Sequence, residues 1–323
     1  MPKFGFSFIA FQLIEKMENY HYKINKALFV VNPKAGKKKS LLIETFLSNN
    51  INGRFTYEIL WWKNASQNIE EEINNYINKG FDTIVAVGGD GTMNRVGASL
   101  IGKNVIFGIV PFGSGNGLAR HLKIPLKAEK AIENIINGHY TTIDGCTINN
   151  IPFFCTSGVG FDAHIGYLFA TDKKRGFWRY VKIVLSELKN YKSQSYILKI
   201  ENEEAKNYTA FLITFANANQ YGNNTFIAPK ANIQDGLMDI TIIKKFKFYH
   251  VPQLIYRIFN RTIYKSSVVE TFTAKKAILE RKSNAHAHYD GEPVFIENRI
   301  ELSIIPKALK IITPISFNEF LEK

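Results

Sequence analysis

Short apolar runs separated by polar, glycine-bearing turns organise the first half of the chain. Ala27–Val31, Thr56–Trp62, Thr83–Val87 and Val105–Val110 are rich in β-branched and aromatic residues and are predicted as strands. Between and after them, Lys39–Leu47, Asn68–Ile77 and Ala128–Ile136 carry apolar residues at helical spacing, and Gly80 ends the second of these. Regular alternation of strand and helix predicts a parallel sheet with helices on both faces.

After Asp144 the pattern changes. Phe153–Thr156, Tyr196–Ile200, Ala210–Ala216, Met238–Ile243, Lys276–Leu279 and Ile300–Ile305 read as strands separated by turns. One helix interrupts them over Phe177–Tyr191, where Phe177, Val181, Val184 and Leu188 share a face opposite Arg179, Lys182, Ser186 and Lys189. The fold class expected is α/β plus mainly β: an N-terminal Rossmann-like parallel α/β domain over 26–144 and a C-terminal β-sandwich-like domain over 145–312. Residues 1–25 read as an extension and 313–323 as a C-terminal segment.

Three glycine-rich turns follow three of the predicted strands. They are Asn32-Pro33-Lys34-Ala35-Gly36, Gly88-Gly89-Asp90-Gly91-Thr92 and Pro111-Phe112-Gly113-Ser114-Gly115-Asn116-Gly117. Glycine lets successive N–H groups approach one anion, and a following helix adds its positive end. Nucleotide phosphate is the ligand this arrangement suits. Two other glycine patterns do not compete. Ala35–Ser40 lacks the full spacing of a Walker loop, and Gly158-Val-Gly160-Phe-Asp-Ala163 falls in the β-rich half rather than in a βαβ unit.

The three turns together resemble the diacylglycerol kinase catalytic-domain family, which includes bacterial lipid kinases and sphingosine kinases. Gly88–Thr92 is similar to the nucleotide motif of the wider kinase superfamily, and Pro111–Arg120 resembles the third loop of its lipid-kinase branch. The similarity runs from about residue 26 to 312. It implies an ATP-dependent lipid kinase, with diacylglycerol or a related lipid as acceptor and Mg²⁺ as cofactor. Nucleotide contacts are implied for Asn32, Pro33 and Gly36, for Gly88, Gly89, Asp90, Gly91, Thr92 and Asn94, for Gly113, Ser114 and Asn116, and for Glu292. Ser114 stands where many bacterial members carry Thr, and Arg95 where Glu is common.

Phosphorylating a hydroxyl calls for a proton acceptor beside it and for cationic charge near the phosphates. The resemblance places the acceptor at Asp290 in Tyr289-Asp-Gly-Glu292, and gives Asp90 a metal-side or phosphate-side role; in sphingosine kinases the loop of Asp90 supplies the base instead. Asp290-Gly291 is also an ordinary hairpin-turn signal. His286, His288 and Asp290 alternate and would share a strand face, a spacing that metal sites also use. Asp235-Gly-Leu-Met-Asp239 resembles a family segment at which Mg²⁺ shapes the second domain. Its implied ligands are the Asp235 carboxylate and the carbonyls of Asn232 and Leu237. Gln234 stands where an acidic residue is common.

Charge changes the picture more than composition does. The 323 residues carry a formal +13, which favours anionic partners. No nucleic-acid module is recognisable, so nucleotide and an anionic membrane surface remain, alongside a general lysine-rich composition. The cations Lys173–Arg175 precede the helix Phe177–Tyr191, and Phe246–Tyr249 and Tyr256–Tyr264 mix cations with aromatics; these segments suit a membrane interface. No run is long enough to span a bilayer. The apolar Phe4–Ile14 reads as part of an extension, as an interfacial anchor, or as sequence upstream of a start at Met17. Two cysteines, Cys146 and Cys155, make no disulfide framework, so a cytoplasmic protein with peripheral membrane association is expected. A homodimer is compatible with the sequence. A long-chain-base kinase and a non-catalytic nucleotide or lipid sensor are the alternatives to a diacylglycerol kinase.

Overall fold

A computed structural model describes residues 23–51, 53–64, 67–137, 139–172 and 177–317. The expectations for Phe4–Ile14 and Lys173–Arg175 lie outside the described residues. In the first half β1 (Lys26–Val31), β2 (Thr56–Trp61), β3 (Thr83–Gly88) and β4 (Ile106–Pro111) pair in parallel in the order β2-β1-β3-β4. Every residue of β3 and β4 is buried, as their unbroken apolar runs require. Each buried Val or Ile there contributes roughly 1.5–3 kcal/mol.

Helices α1 (Ile43–Ile51), α2 (Ile69–Asn78), α3 (Asp90–Leu100), α4 (Gly117–His121) and α5 (Ala128–Ile136) connect these strands, with α1 packed on α5 and α2 on α3. The start of α2 is written locally. Asn68 Oδ1 accepts the Glu71 N–H at 3.3 Å, and Glu70, Glu71 and Glu72 face the positive helix end. The helix predicted over Lys39–Leu47 begins later, because Ala35–Leu42 forms tight 3₁₀ turns.

The second half is a largely antiparallel structure, the expected sandwich-like domain. It comprises β6 (Ile151–Phe153), β7 (Thr156–Gly160), β8 (Gln194–Ile200), β9 (Lys206–Ala216), β10 (Met238–Lys244), β11 (Val269–Ala274), β12 (Lys276–Arg281), β13 (Ala285–Tyr289) and β14 (Glu292–Ile296). Helices α6 (Phe161–Thr171), α7 (Phe177–Glu187) and α8 (Val251–Phe259) contribute to a separate apolar cluster through Phe161, Ile165, Ile183 and Leu254. Of these, α6 and α8 were not anticipated from the sequence. Gly160 turns from β7 into α6 at φ 99°, and a Cβ there would stand 2.6 Å from the Phe211 carbonyl oxygen.

No simple linker joins the halves. β5 (Tyr140–Ile148) runs through the boundary expected at 144 and pairs antiparallel with β15 (Arg299–Ile312). The start of β15 also pairs with β12, while Lys310 and Ile311 near its end pair in parallel with β4. A register shift between Ile305 and Leu309, with Lys307 at φ 53°, marks the crossing from one sheet regime to the other. Asp144 secures this junction, its carboxylate accepting the N–H groups of Lys307 (2.7 Å) and Gly236 (2.8 Å).

Candidate active site

The three glycine-rich turns leave β1, β3 and β4, which are neighbours in the sheet, so the topology gathers them at one edge. Specific contacts then join them. Asn32 Nδ2 donates to Thr92 Oγ1 at 3.2 Å, linking the first turn to the second. A Cβ on Gly89 would stand 3.2 Å from Gly113 Cα, so the second and third turns meet backbone to backbone. Gly36 packs in the same way on Phe112.

Asp90 opens α3 and holds the third turn. Its carboxylate accepts the N–H groups of Asn116 (2.8 Å) and Gly117 (2.7 Å), donors that the start of α4 leaves without helical partners. Burial pushes this carboxyl up to about 6; the two N–H donors oppose the shift, and Asp290 adds to it. Asn116 sits in the left-handed region at φ 51°, and its Nδ2 donates to the Gly113 carbonyl at 2.8 Å. Its Oδ1 is buried without a hydrogen-bond partner, an acceptor open to a ligand or a water. Ser114 is exposed on the rim, and Pro33 is half-buried.

The second half reaches this edge through the turn between β13 and β14. Asp290 (φ 46°) and Gly291 (φ 84°) form the two-residue hairpin that Asp-Gly signals. Asp290 is half-buried, and its carboxylate accepts four N–H donors: Phe154 (2.9 Å), Cys155 (2.8 Å), Thr156 (3.0 Å) and Asn94 Nδ2 (2.9 Å). Burial raises its pKa, and the four donors work against that rise. Asn94 also donates to the Pro152 carbonyl, so one side chain of α3 grips both the β13–β14 turn and β6. Glu292, two residues further on, is exposed and lies so close to Gly91 that a Cβ on that glycine would overlap its Oε1. Arg95, on the same helix as Asn94, stands over the Trp62 ring at 5.6 Å.

The other candidate residues disperse. The His286 ring stacks on Tyr167, while His288 is buried with Nε2 3.2 Å from Asp162 Oδ2. Tyr221 and Thr214 hydroxyls donate to the same Asp162 oxygen. Among the described residues no three His, Cys, Asp or Glu side chains gather as a metal site. At the second-domain segment, Asp235 Oδ1 accepts the Leu237 N–H at 2.9 Å, and the Asn232 carbonyl lies 3.4 Å from the Asp235 N. Gln234 donates to Thr141 Oγ1 and to the Thr142 carbonyl, and the second of these bonds is one that a carboxylate could not make. Both cysteines are buried thiols.

Residues 26–148 match the family model of the diacylglycerol kinase catalytic domain, and residues 156–313 match that of the YegS C-terminal NAD kinase beta sandwich-like domain. Residues 26–148 belong to the diacylglycerol kinase catalytic-domain family, and the second half carries the YegS-type C-terminal domain. The chain is 29% identical over 245 residues to a diacylglycerol kinase of Mycobacterium tuberculosis, covering 73% of this chain and 78% of that protein. It is 28% identical over 242 residues to a probable lipid kinase YegS-like of Chromohalobacter salexigens, covering 73% of this chain and 77% of that protein. The crystal structure of a putative diacylglycerol kinase from Bacillus anthracis has the same fold, with a TM-score of 0.76 at 19% identity over 92% of this chain and 97% of that one.

The backbone donors of Phe154, Cys155 and Thr156 were not expected from the sequence. Main-chain N–H groups carry no residue signature, so nothing in the sequence could have marked them.

Proposed function

We propose that this chain is an ATP-dependent lipid kinase that transfers the γ-phosphate to a hydroxyl of diacylglycerol or a related lipid. One observation carries the reading. Three turns suited to phosphate meet at one edge, and an exposed carboxylate from the other half, Glu292, stands at Gly91 in the second of them. Nucleotide would lie over Gly88–Thr92 and Gly113–Asn116, with the N-terminus of α3 facing its phosphates.

The reaction breaks the bond between the γ-phosphorus and the β-bridging oxygen and forms one from the lipid oxygen to phosphorus. ADP leaves, and the hydroxyl proton goes to a base. Glu292 fits the base role better than Asp290. A carboxylate accepting four N–H donors has few lone pairs left for an incoming proton, whereas Glu292 is exposed. Asp290 then positions the turn, and Asp90 holds the third loop against the second.

Bound Mg²⁺ would neutralise charge on the phosphates. In the second domain, the Asp235 carboxylate with the Asn232 and Leu237 carbonyls would hold a structural Mg²⁺, and this oxygen donor set fits a hard cation. Charge supports that fit: burial, followed by the neighbouring Asp235, pushes the Asp239 carboxyl up to about 7, and a cation there would relieve the repulsion.

The protein would act in the cytoplasm at the membrane surface. Among the described residues no helix is long and apolar enough to cross a membrane. Incubating the protein with labelled ATP, Mg²⁺ and a panel of diacylglycerol, ceramide, sphingoid base and phosphatidylglycerol tests the reading. Transfer to diacylglycerol is expected. Transfer to the sphingoid base alone would make it a long-chain-base kinase, and no transfer to any lipid would overturn the kinase reading.

A further inference from the structure

The surface helix α8 departs from the usual amphipathic pattern. Its inner face buries Val251 and Leu254, yet its outer face exposes Ile255, Tyr256 and Phe259 rather than polar residues. Just before it, the 3₁₀ turn Phe248–His250 exposes two more aromatics. Phe248 is 60% exposed, Tyr249 70% and Tyr256 66%, a concentration of apolar surface that a soluble face does not otherwise need.

Within the segment that carries this patch, charge has one sign. From Ile240 to Val269 the chain holds no Asp or Glu, but it holds Lys244, Lys245, Lys247, Arg257, Arg261 and Lys265. Lys244 pairs with Glu270 at 2.9 Å, and Arg257 is half-buried. Lys245, Lys247, Arg261 and Lys265 remain exposed, and Arg261 is steadied 4.2 Å over the Phe226 ring. Exposed aromatics bordered by unneutralised cations match the layered chemistry of an anionic bilayer, with acyl chains beneath phosphate headgroups.

We infer that residues 245–265 form the surface through which this protein docks on anionic lipid bilayers. The aromatics of the 3₁₀ turn and α8 enter the interface, and the four cations meet headgroup phosphates. The choice of a bilayer over an acidic protein rests on the lipid-kinase reading, since the proposed acceptor resides in a membrane and the enzyme must come to it.

Vesicle sedimentation tests the surface. The probes are phosphatidylcholine vesicles with and without a minor fraction of phosphatidylglycerol. The parent should sediment with the anionic vesicles and be released by salt. A Phe248→Ser, Tyr249→Ser, Tyr256→Ser triple variant should bind at least about tenfold more weakly. Lys245→Glu with Lys247→Glu should lose at least about fivefold per cation replaced. Both variants should keep the parent's melting temperature and its turnover on water-soluble dihexanoylglycerol, because these residues lie outside the candidate active site. If both variants sediment like the parent, or if the parent sediments with neither vesicle, the docking surface is overturned. Absence of turnover on the soluble substrate in the parent itself would count against the kinase reading instead, while the sedimentation result would still decide the surface.

Discussion

The two halves contribute to the candidate site in different currencies. The N-terminal half offers backbone: glycine turns at strand ends, closely opposed, with the start of α3 behind them. The C-terminal half offers side chains on a hairpin, Asp290 turned inward and Glu292 outward. The difference teaches a division of labour. Backbone amides suit a ligand that is the same in every turnover, such as phosphate, whereas a proton acceptor must change state and so must be a side chain.

The sharpest way to break this comparison is Glu292→Gln. Turnover should fall by about 10²–10⁴ while nucleotide affinity survives. Steady-state kinetics with parallel ATP calorimetry checks this, and near-normal turnover would return the base to Asp290 or Asp90. Gly91→Val probes the backbone side. The new side chain would collide with Glu292 and crowd the start of α3, so calorimetric ATP binding should be lost with the fold intact. Unchanged affinity would remove the phosphate site from this turn.

Asp290→Asn should behave as a stability variant first. Its amide group would face N–H donors that now meet a carboxylate, at a cost of about 3 kcal/mol, visible as a lowered melting temperature. A variant as stable as the parent would mean that the hairpin does not depend on this carboxylate.

Asp90 sharpens the comparison through pH. Its carboxyl is raised from the ordinary 3.8 to about 6, so between these values the folded chain holds a proton that the unfolded chain has released. The stability from this group is therefore fully present below pH 3.8 and is lost as pH rises through 6, on the order of 3 kcal/mol in all. Denaturant melts of Asp90→Asn and the parent should differ by an amount that changes across this window. A pH-independent difference would contradict the raised value. The smallest effect is expected for Asn32→Ala, which removes one hydrogen bond to Thr92 and should weaken ATP binding about fivefold.

Much of the fold was legible because its signals are local. The β-branched runs at Ala27–Val31 and Thr83–Val87 need only their own residues to read as buried strands, and the Asp290-Gly291 turn is decided by two residues able to take positive φ. Helix α6 was harder. It follows Gly160 with an apolar composition that also suits a buried strand, and only its packing on β13 and β14 separates the two. The end of β15 lies beyond the strand expected over Ile300–Ile305 and inside the expected second domain, yet Lys310 and Ile311 pair in parallel with β4 of the first half.

The sequence by itself determined the alternation of elements, the three phosphate-suited turns and the presence of carboxylates in Gly88–Thr92 and Tyr289–Glu292. Only the tertiary structure decided what each carboxylate does. Asp90 and Asp290 carry the same group, and both were candidates for chemistry. Folding brings Asp90 to the N–H groups of Asn116 and Gly117, and brings Asp290 to Asn94, 196 residues away in the chain, and to three consecutive backbone donors. A carboxylate's role depends on which donors occupy its lone pairs, and those donors are chosen by long-range register rather than by neighbours in sequence.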